Sequence, residues 1–499
     1  MTEVHVQDGL DQAMLGYKKF LEGAPESALT PEAMRRLADL KLEKEYGIFG
    51  QGGGAVLPAP ESTGARMPAH PLSPGPARMA YDVESDHAFE RRAAGSDGFV
   101  PSTENPDVEL PGGEHVPWAG PLEAIELYDR ILETYPTYEY NDWVLYQKAR
   151  AYDELGRTDE AIAVTERLVR EYPSSRYMDE VQFRRAEYFF TRKRFLDAED
   201  AYAAITAKGE VSDYYELALY KLGWTLYMQE LHDQALDQYI ALLDYKVSIG
   251  YDFDQSQDET DERRIADTFR VISLSFSSLG GPKAIEAYFV ENGQRSYEVR
   301  IYSQLGEFYL EKLRYNDAAV VYKAFVGLHP LHRVSPRFSM RVVEIYEAGG
   351  FPRLVLESKK EFAGRYGLQS DYWLHFDAND SPEVLGDLKS NLEDLANHYH
   401  ALYQEEDRAE ERPENFQEAL HWYRAHLASF PQDPETPAIH YRLADLLLEH
   451  EDFGEAAREY ERTAYDYPAH EQSAAAGYAA IFAHRENEKR TSVEERPVA

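Results

Sequence analysis

The chain has 499 residues, 43% of them hydrophobic, with 37 tyrosines, no cysteine and a formal net charge of −38 from 90 acidic against 52 basic residues. That length accommodates about three globular units, and the missing cysteine excludes disulfides, thiolate metal sites and a cysteine nucleophile. The charge opposes nucleic acid and anionic lipid, no apolar run approaches the ~18 residues of a membrane helix, and residues 1–11 lack the basic-then-apolar pattern of a signal peptide.

In chain order, one interval recurs. An alanine is followed four residues later by a tyrosine and twelve residues later by a proline: Ala13, Tyr17, Pro25, then Ala124, Tyr128, Pro136. Ala161, Thr165, Pro173 follow with threonine for tyrosine, and then Ala318, Tyr322, Pro330. Ala419, Tyr423, Pro431 and Ala456, Tyr460, Pro468 complete the set. The alanine marks a close helix crossing, the tyrosine covers the same face one turn on, and the proline ends the helix. A second amphipathic helix precedes most copies, with a small residue at its centre: Gly223 in 220–228, Gly306 in 302–310 and Ala444 in 441–448. Such pairing predicts antiparallel helix pairs along the chain. The array begins on a second helix (10–21) and ends on a first helix (473–485).

Residues 36–43 nearly duplicate 442–449, so 31–46 reads as a first helix capped by Thr30 with Pro31 at its first position. Its partner is 121–135. The Gly/Pro/Ala-rich stretch between them is predicted to be a disordered insertion, being too poor in apolar surface to fold alone. The expected organisation is therefore N-terminal helices at 1–46, the insertion at 47–119 and a main array at 120–366. A junction at 367–385 carrying Tyr372, Trp373 and Phe376, a C-terminal sub-array at 386–486 and a polar tail at 487–499 complete it. Acidic segments at 246–262 and 404–413 interrupt the array.

The sets Leu222, Gly223, Leu226, Ala235, Tyr239 and Leu305, Gly306, Tyr309, Ala318, Tyr322 resemble the tetratricopeptide repeat, a helix-turn-helix unit of about 34 residues. Leu443, Ala444, Leu447, Ala456, Tyr460 and Pro468 make a third such set. The resemblance implies an all-α, right-handed α-α superhelical solenoid that binds protein segments on the face formed by its first helices. Placed by that resemblance, the partner-facing side chains are Trp143, Tyr146, Arg150, Phe183, Glu187, Tyr220, Trp224 and Tyr227. Aromatic residues dominate binding hot spots, although tyrosines of such repeats also pack between helices. Repeats that clamp chaperone C-terminal carboxylates present lysine and asparagine at these positions. Here the positions are mostly aromatic or acidic, so the resemblance does not extend to that subclass. The phrase Glu171-Tyr172-Pro173-Ser174-Ser175-Arg176-Tyr177 is similar to repeats of bacterial cell-envelope proteins, which implies a periplasmic or envelope location, with the cytoplasm as the alternative.

No chemistry competes with binding. Gly50 to Gly54 lacks the lysine and serine or threonine of a phosphate loop. The acidic run from Asp252 lacks the glycine and the final glutamate of a calcium loop, its twelfth position being Arg263. His398 and His400 stand two apart and face different ways, and His329 and His332 flank Pro330, so all four read as surface or capping residues rather than ligands. No catalytic, metal or cofactor site is predicted. The expected function is a non-catalytic scaffold for a protein or peptide partner, with the acidity serving either a basic partner or solubility. The alternative is a structural subunit that assembles end to end through Leu10, Met14 and Tyr17 or through Ala476, Tyr478 and Ile481, or a fragment of a longer array.

Overall fold

The computed structural model describes residues 9–24, 26–46, 88–90, 92, 119–255 and 258–494. The glycine run at 50–54 and nearly all of the predicted insertion lie outside them. Among the described residues every regular element is a helix, and none is long and apolar enough to cross a membrane.

The chain forms two compact units, Met1–Ser275 and Phe276–Ala499. The first contains α1 (Gly9–Gly23), α2 (Thr30–Tyr46), α3 (Ala119–Thr134), α4 (Asn141–Glu154) and α5 (Thr158–Glu171). It continues through α6 (Met178–Thr191), α7 (Phe195–Thr206), α8 (Tyr215–Tyr227), α9 (His232–Ser248) and most of α10 (Glu259–Leu279). The second holds α11 (Pro282–Asn292), α12 (Glu298–Glu311), α13 (Tyr315–Leu328), α14 (Ser335–Ala348) and α15 (Pro352–Tyr366). There follow α16 (Pro382–Gln404), α17 (Arg412–Ser429), α18 (Thr436–Glu449), α19 (Phe453–Tyr465) and α20 (Ser473–Glu494). Within the first unit consecutive helices from α1 to α9 pack on one another, and within the second those from α12 to α20 do.

The small-residue and tyrosine pattern explains the pairing. In the α8/α9 pair a Cβ built on Gly223 would lie 2.7 Å from the Tyr239 ring, and in α12/α13 one on Gly306 would lie 2.5 Å from Tyr322. The ring of the second helix thus lies flat on the backbone of the first, where only a very small residue fits. The tyrosine hydroxyl then reaches one residue further along the first helix. Tyr128 donates to Asp39 at 2.6 Å, Tyr202 to Glu187, Tyr322 to Glu307 at 2.6 Å, Tyr423 to Asn397 at 3.1 Å and Tyr460 to Asp445. In each case the acceptor directly follows the small residue: Ala38, Ala186, Gly306, Ala396 and Ala444. Burial and the adjoining carboxylate push the Tyr128 and Tyr202 hydroxyls well above their ordinary pKa.

Where the two helices of a pair are joined by a short turn, it closes by a bond from the sixth residue back to the first, as in Arg157 N–H to Tyr152 O (2.8 Å), Leu231 to Leu226 (3.0 Å) and Arg314 to Tyr309 (2.9 Å). This turn needs one residue at positive φ. Gly156 and Gly350 supply it without strain, whereas Lys193, Glu230, Leu313 and Glu451 adopt it at φ 57–63°. Between pairs the predicted prolines stand just past the helix ends, with Pro136 after α3, Pro173 after α5, Pro330 after α13 and Pro431 after α17.

Some expectations are corrected. Ala13 and Tyr17 do not form the buried pair of the other copies, because α1 contains no buried residue. The acidic interruption is shorter than 246–262, since α9 continues to Ser248 and α10 starts at Glu259. Helix α20 runs past Arg485 to Glu494. His400 is not a surface residue but is buried, with Nδ1 3.0 Å from the Tyr423 hydroxyl and Nε2 3.4 Å from Glu449. At 367–385 two short 3-10 turns carry a buried Tyr372, stacked on Phe376 at 4.6 Å and packed in the same core as α15 and α16. Within the 47–119 segment the described residues Ala88–Glu90 and Arg92 are helical and Phe89 is fully buried.

Candidate partner-binding face

First helices α2, α4, α6 and α8 follow one another along the first unit, and the eight expected partner residues lie on α4, α6 and α8. At the α2/α4 end Arg35 lies between Glu32 (2.7 Å) and Asp39 (2.9 Å) and over the Tyr140 ring. Burial pushes the Glu32 carboxyl up, but bonds from Arg35, Tyr138 and Arg36 outweigh it and hold the group at about 2. The deeper Asp39 carboxyl is raised by burial despite accepting from Tyr128 and from the Trp143 indole N–H at 3.2 Å.

Trp143 is half-buried and lies 5.8 Å from Tyr146 and 5.2 Å from Tyr177, and the last two stack at 4.5 Å. Tyr146 is itself buried and donates to Glu180 at 2.7 Å. Half-buried Arg150 sits over the Tyr146 ring at 5.7 Å. Arg184 pairs with Glu180 at 2.9 Å and Asp153 at 3.3 Å, and burial pushes the Asp153 carboxyl up to about 6. The α4/α6 junction therefore offers an indole, a tyrosine ring and two guanidinium groups, set among carboxylates.

Further along, the expected exposure fails. Phe183 is buried against Tyr202 and Tyr214, and Glu187 is buried between Tyr202 and Lys221. Tyr220 and Trp224 are buried too, and with Tyr146 these make five of the eight residues withdrawn from the surface. The physical reason differs by position: Tyr146, Phe183 and Tyr220, three residues before a small residue, pack on Tyr177, on Tyr202 and Tyr214, and on Tyr239, while Glu187, directly after Ala186, takes the Tyr202 hydroxyl of its own pair, and Trp224, directly after Gly223, lies beneath Phe89. Trp143, Arg150 and Tyr227 keep partial exposure.

Sequence reasoning missed Tyr177 and Arg184, although the Tyr172-to-Tyr177 phrase pointed to this turn. It also missed what covers Trp224. Phe89 lies 5.7 Å from the indole, Arg92 grips Asp267 of α10 through both oxygens at 2.9 and 3.0 Å, and Tyr227 donates to Glu90 at 3.1 Å. Arg270 of α10 stands 4.3 Å from the centre of the Phe89 ring.

The tetratricopeptide-repeat family matches residues 121–182, from α3 into α6, and again residues 408–479, from α17 into α20. The chain carries tetratricopeptide repeats in these two segments. Its repeats align with solved structures at low identity. One is Naa15/Naa10 bound to HypK-THB, with 14% identity over 74% of this chain and 59% of that one and a TM-score of 0.26, so the chain spans less than two thirds of that relative. The TPR2AB-domain:pHSP90 complex of yeast Sti1 gives 12% identity, 63% and 97% coverage and a TM-score of 0.20. The P58(IPK) TPR domain gives 16% identity, 76% and 96% coverage and a TM-score of 0.20. The repeat assignment rests on the family matches and the pair geometry rather than on these superpositions. No curated protein matches the sequence.

Proposed function

We propose that this tetratricopeptide-repeat protein is a non-catalytic scaffold that holds a segment of a protein partner on the first-helix face of its first unit. The observation that carries this reading is the cluster at the α4/α6 junction, where half-buried Trp143 and Arg150 adjoin the stacked Tyr146–Tyr177 pair. A flat apolar face beside a guanidinium is the composition of a binding hot spot. The surrounding carboxylates and the overall charge of −38 favour a basic partner, whose attraction weakens in salt. The Glu171–Tyr177 phrase supports an envelope location, which fractionation of the native cells tests directly. The decisive experiment captures partners on the wild-type chain and on a Trp143→Ala/Arg150→Ala variant, each washed at low and at high salt. A partner held by the wild type and lost from the folded variant is expected; equal capture by both sinks the site.

A second reading, end-to-end assembly, draws on α20. Its Ala476, Ala480 and Ala483 are buried against the body while Tyr478, Ile481 and Phe482 on the other side are exposed. Sedimentation across a concentration series tests it, and a monomer at every concentration rejects it.

A further inference from the structure

The α8/α9 pair has the small residue and the tyrosine but lacks the bond that five other pairs make between the tyrosine hydroxyl and the residue after the small one. The residue after the small Gly223 is Trp224, not an acid or amide, and the hydroxyl of Tyr239, which lies on that glycine, has no hydrogen-bond partner among the described residues. The indole N–H of Trp224 has none either. A bonding position has thus been given up for a large ring on the first-helix face. Such a ring is tolerated only if something covers it.

The cover is the helical residues Ala88–Glu90 and Arg92 from the middle of the sequence segment 47–119. It uses the contacts by which a groove reads a helical peptide: an aromatic anchor, Phe89, buried on Trp224, and an arginine three residues on. That arginine, Arg92, forms a two-pronged pair with Asp267, a buried carboxylate on the next first helix. A short helical segment is poorly stable by itself, because nucleation fixes several residues for one bond. Its occupancy therefore depends on being tethered. A longer, better-formed helix with the same two side chains would bind the same cleft without that weakness.

We propose that the cleft between α8 and α10 is a binding site for a helical segment carrying a phenylalanine and, three residues on, an arginine, and that Ala88–Arg92 is an internal ligand which such a partner displaces. The inference rests on the scaffold reading in taking the first-helix face as the binding side. It is tested without any captured partner.

A fluorescein-labelled peptide of residues 82–97 is titrated into three full-length chains: wild type, Phe89→Ala/Arg92→Ala, and that variant with Asp267→Asn added. The variant with its own segment weakened is expected to bind the peptide saturably. Wild type should bind at least about tenfold more weakly, because the tethered segment competes at an effective concentration in the ~mM range. Adding Asp267→Asn should cost the variant about tenfold or more, the loss of a charge-assisted pair. A folded variant that shows no saturable binding up to about 1 mM, the tethered concentration, overturns the proposal. Equal affinity of wild type and variant overturns it as well. Should the double variant lose its helical circular dichroism, Arg92→Glu, which leaves Phe89 in place, carries the same comparison. A partner captured through Trp143 and Arg150 while the peptide fails would leave the scaffold standing and remove only this inference.

Discussion

Removing one oxygen atom from equivalent tyrosines should have opposite effects in two pairs of this chain. Tyr322 is buried on Gly306, and its hydroxyl donates to Glu307 at 2.6 Å. Tyr239 is buried on Gly223 in the same way, but its hydroxyl is unpartnered among the described residues. A hydrogen bond to a charged acceptor contributes about 1.5–3 kcal/mol. Glu307 keeps two bonds from Arg341 at 2.9 Å, so Tyr322→Phe leaves no stranded carboxylate, and the loss should fall at the lower end, about 1.5 kcal/mol. Tyr239→Phe instead removes a polar group buried without compensation and should stabilise by about 1 kcal/mol. Two units in one chain make a single unfolding transition unsafe, so the assay is native-state amide exchange read by mass spectrometry on α12/α13 and α8/α9. Exchange should become about tenfold faster in the first variant and about fivefold slower in the second. If Tyr239→Phe accelerates exchange as much as Tyr322→Phe, the hydroxyl-to-next-residue bond is not what distinguishes the pairs.

Three further outcomes follow from other features. Leu313 holds φ 57° with its side chain largely exposed, so Leu313→Gly should relieve strain and slow exchange in α12/α13 by about 1 kcal/mol; no change or a loss contradicts the turn assignment. Lys246 is buried between Glu216 at 2.9 Å and Asp261 at 2.8 Å, with Arg264 also on Glu216. Lys246→Met should cost about 3 kcal/mol in urea unfolding of that region, the lower end for a broken buried pair because Arg264 remains. Asp387 is raised to about 6 by burial and then by Glu344 and Glu383. With its folded pKa above the unfolded value of about 3.9, the folded form keeps the proton longer, so its contribution is full below about pH 4 and lost as pH rises through 6. Asp387→Asn should therefore raise the melting temperature at pH 7.5 but not at pH 4. Solvent screening of this half-exposed group leaves about 1–2 kcal/mol of the ~3 that the full shift implies. A gain of equal size at both pH values would show that the charge is not its cause.

The pair architecture was legible because its cause is local. An alanine and a tyrosine one turn apart fix which face of a helix is buried, and a proline fixes where it ends. Ala198 and Tyr202 pack like the others yet fall outside the alanine-to-proline interval, because Glu210 stands where the proline would be. The small residue followed by an acid, Ala186-Glu187 in the preceding helix, was the signal that could have found it. The candidate face was less legible. A first helix meets its own partner, the neighbouring pairs and the open side, and an aromatic at one position can serve any of them. Hence Trp143, near the start of its first helix, stayed partly exposed, while Trp224, directly after the small Gly223, lies beneath Phe89, a residue more than a hundred positions away. Nothing local to α8 announces Phe89, and the Gly/Pro/Ala-rich composition of the segment around it hides the helical residues that carry it.

Restoring the pattern at that position tests both halves of this account together. Trp224→Glu would place a carboxylate after Gly223, where Asp39, Glu187, Glu307 and Asp445 stand in other pairs, and would give the Tyr239 hydroxyl an acceptor. Losing the buried indole costs about 3–5 kcal/mol, as for a tryptophan truncated to alanine. The regained charge-assisted bond offsets about 1.5–3 kcal/mol of that. Trp224→Glu should therefore be more stable than Trp224→Ala by about 1–2 kcal/mol, although a buried charge normally makes glutamate the worse replacement in a core. Both variants should release Ala88–Arg92 alike, since each removes the ring beneath Phe89, and protease cutting near that segment would report it. If glutamate proves less stable than alanine, position 224 is an ordinary core site, and the absence of an acid there has nothing to do with the segment that covers it.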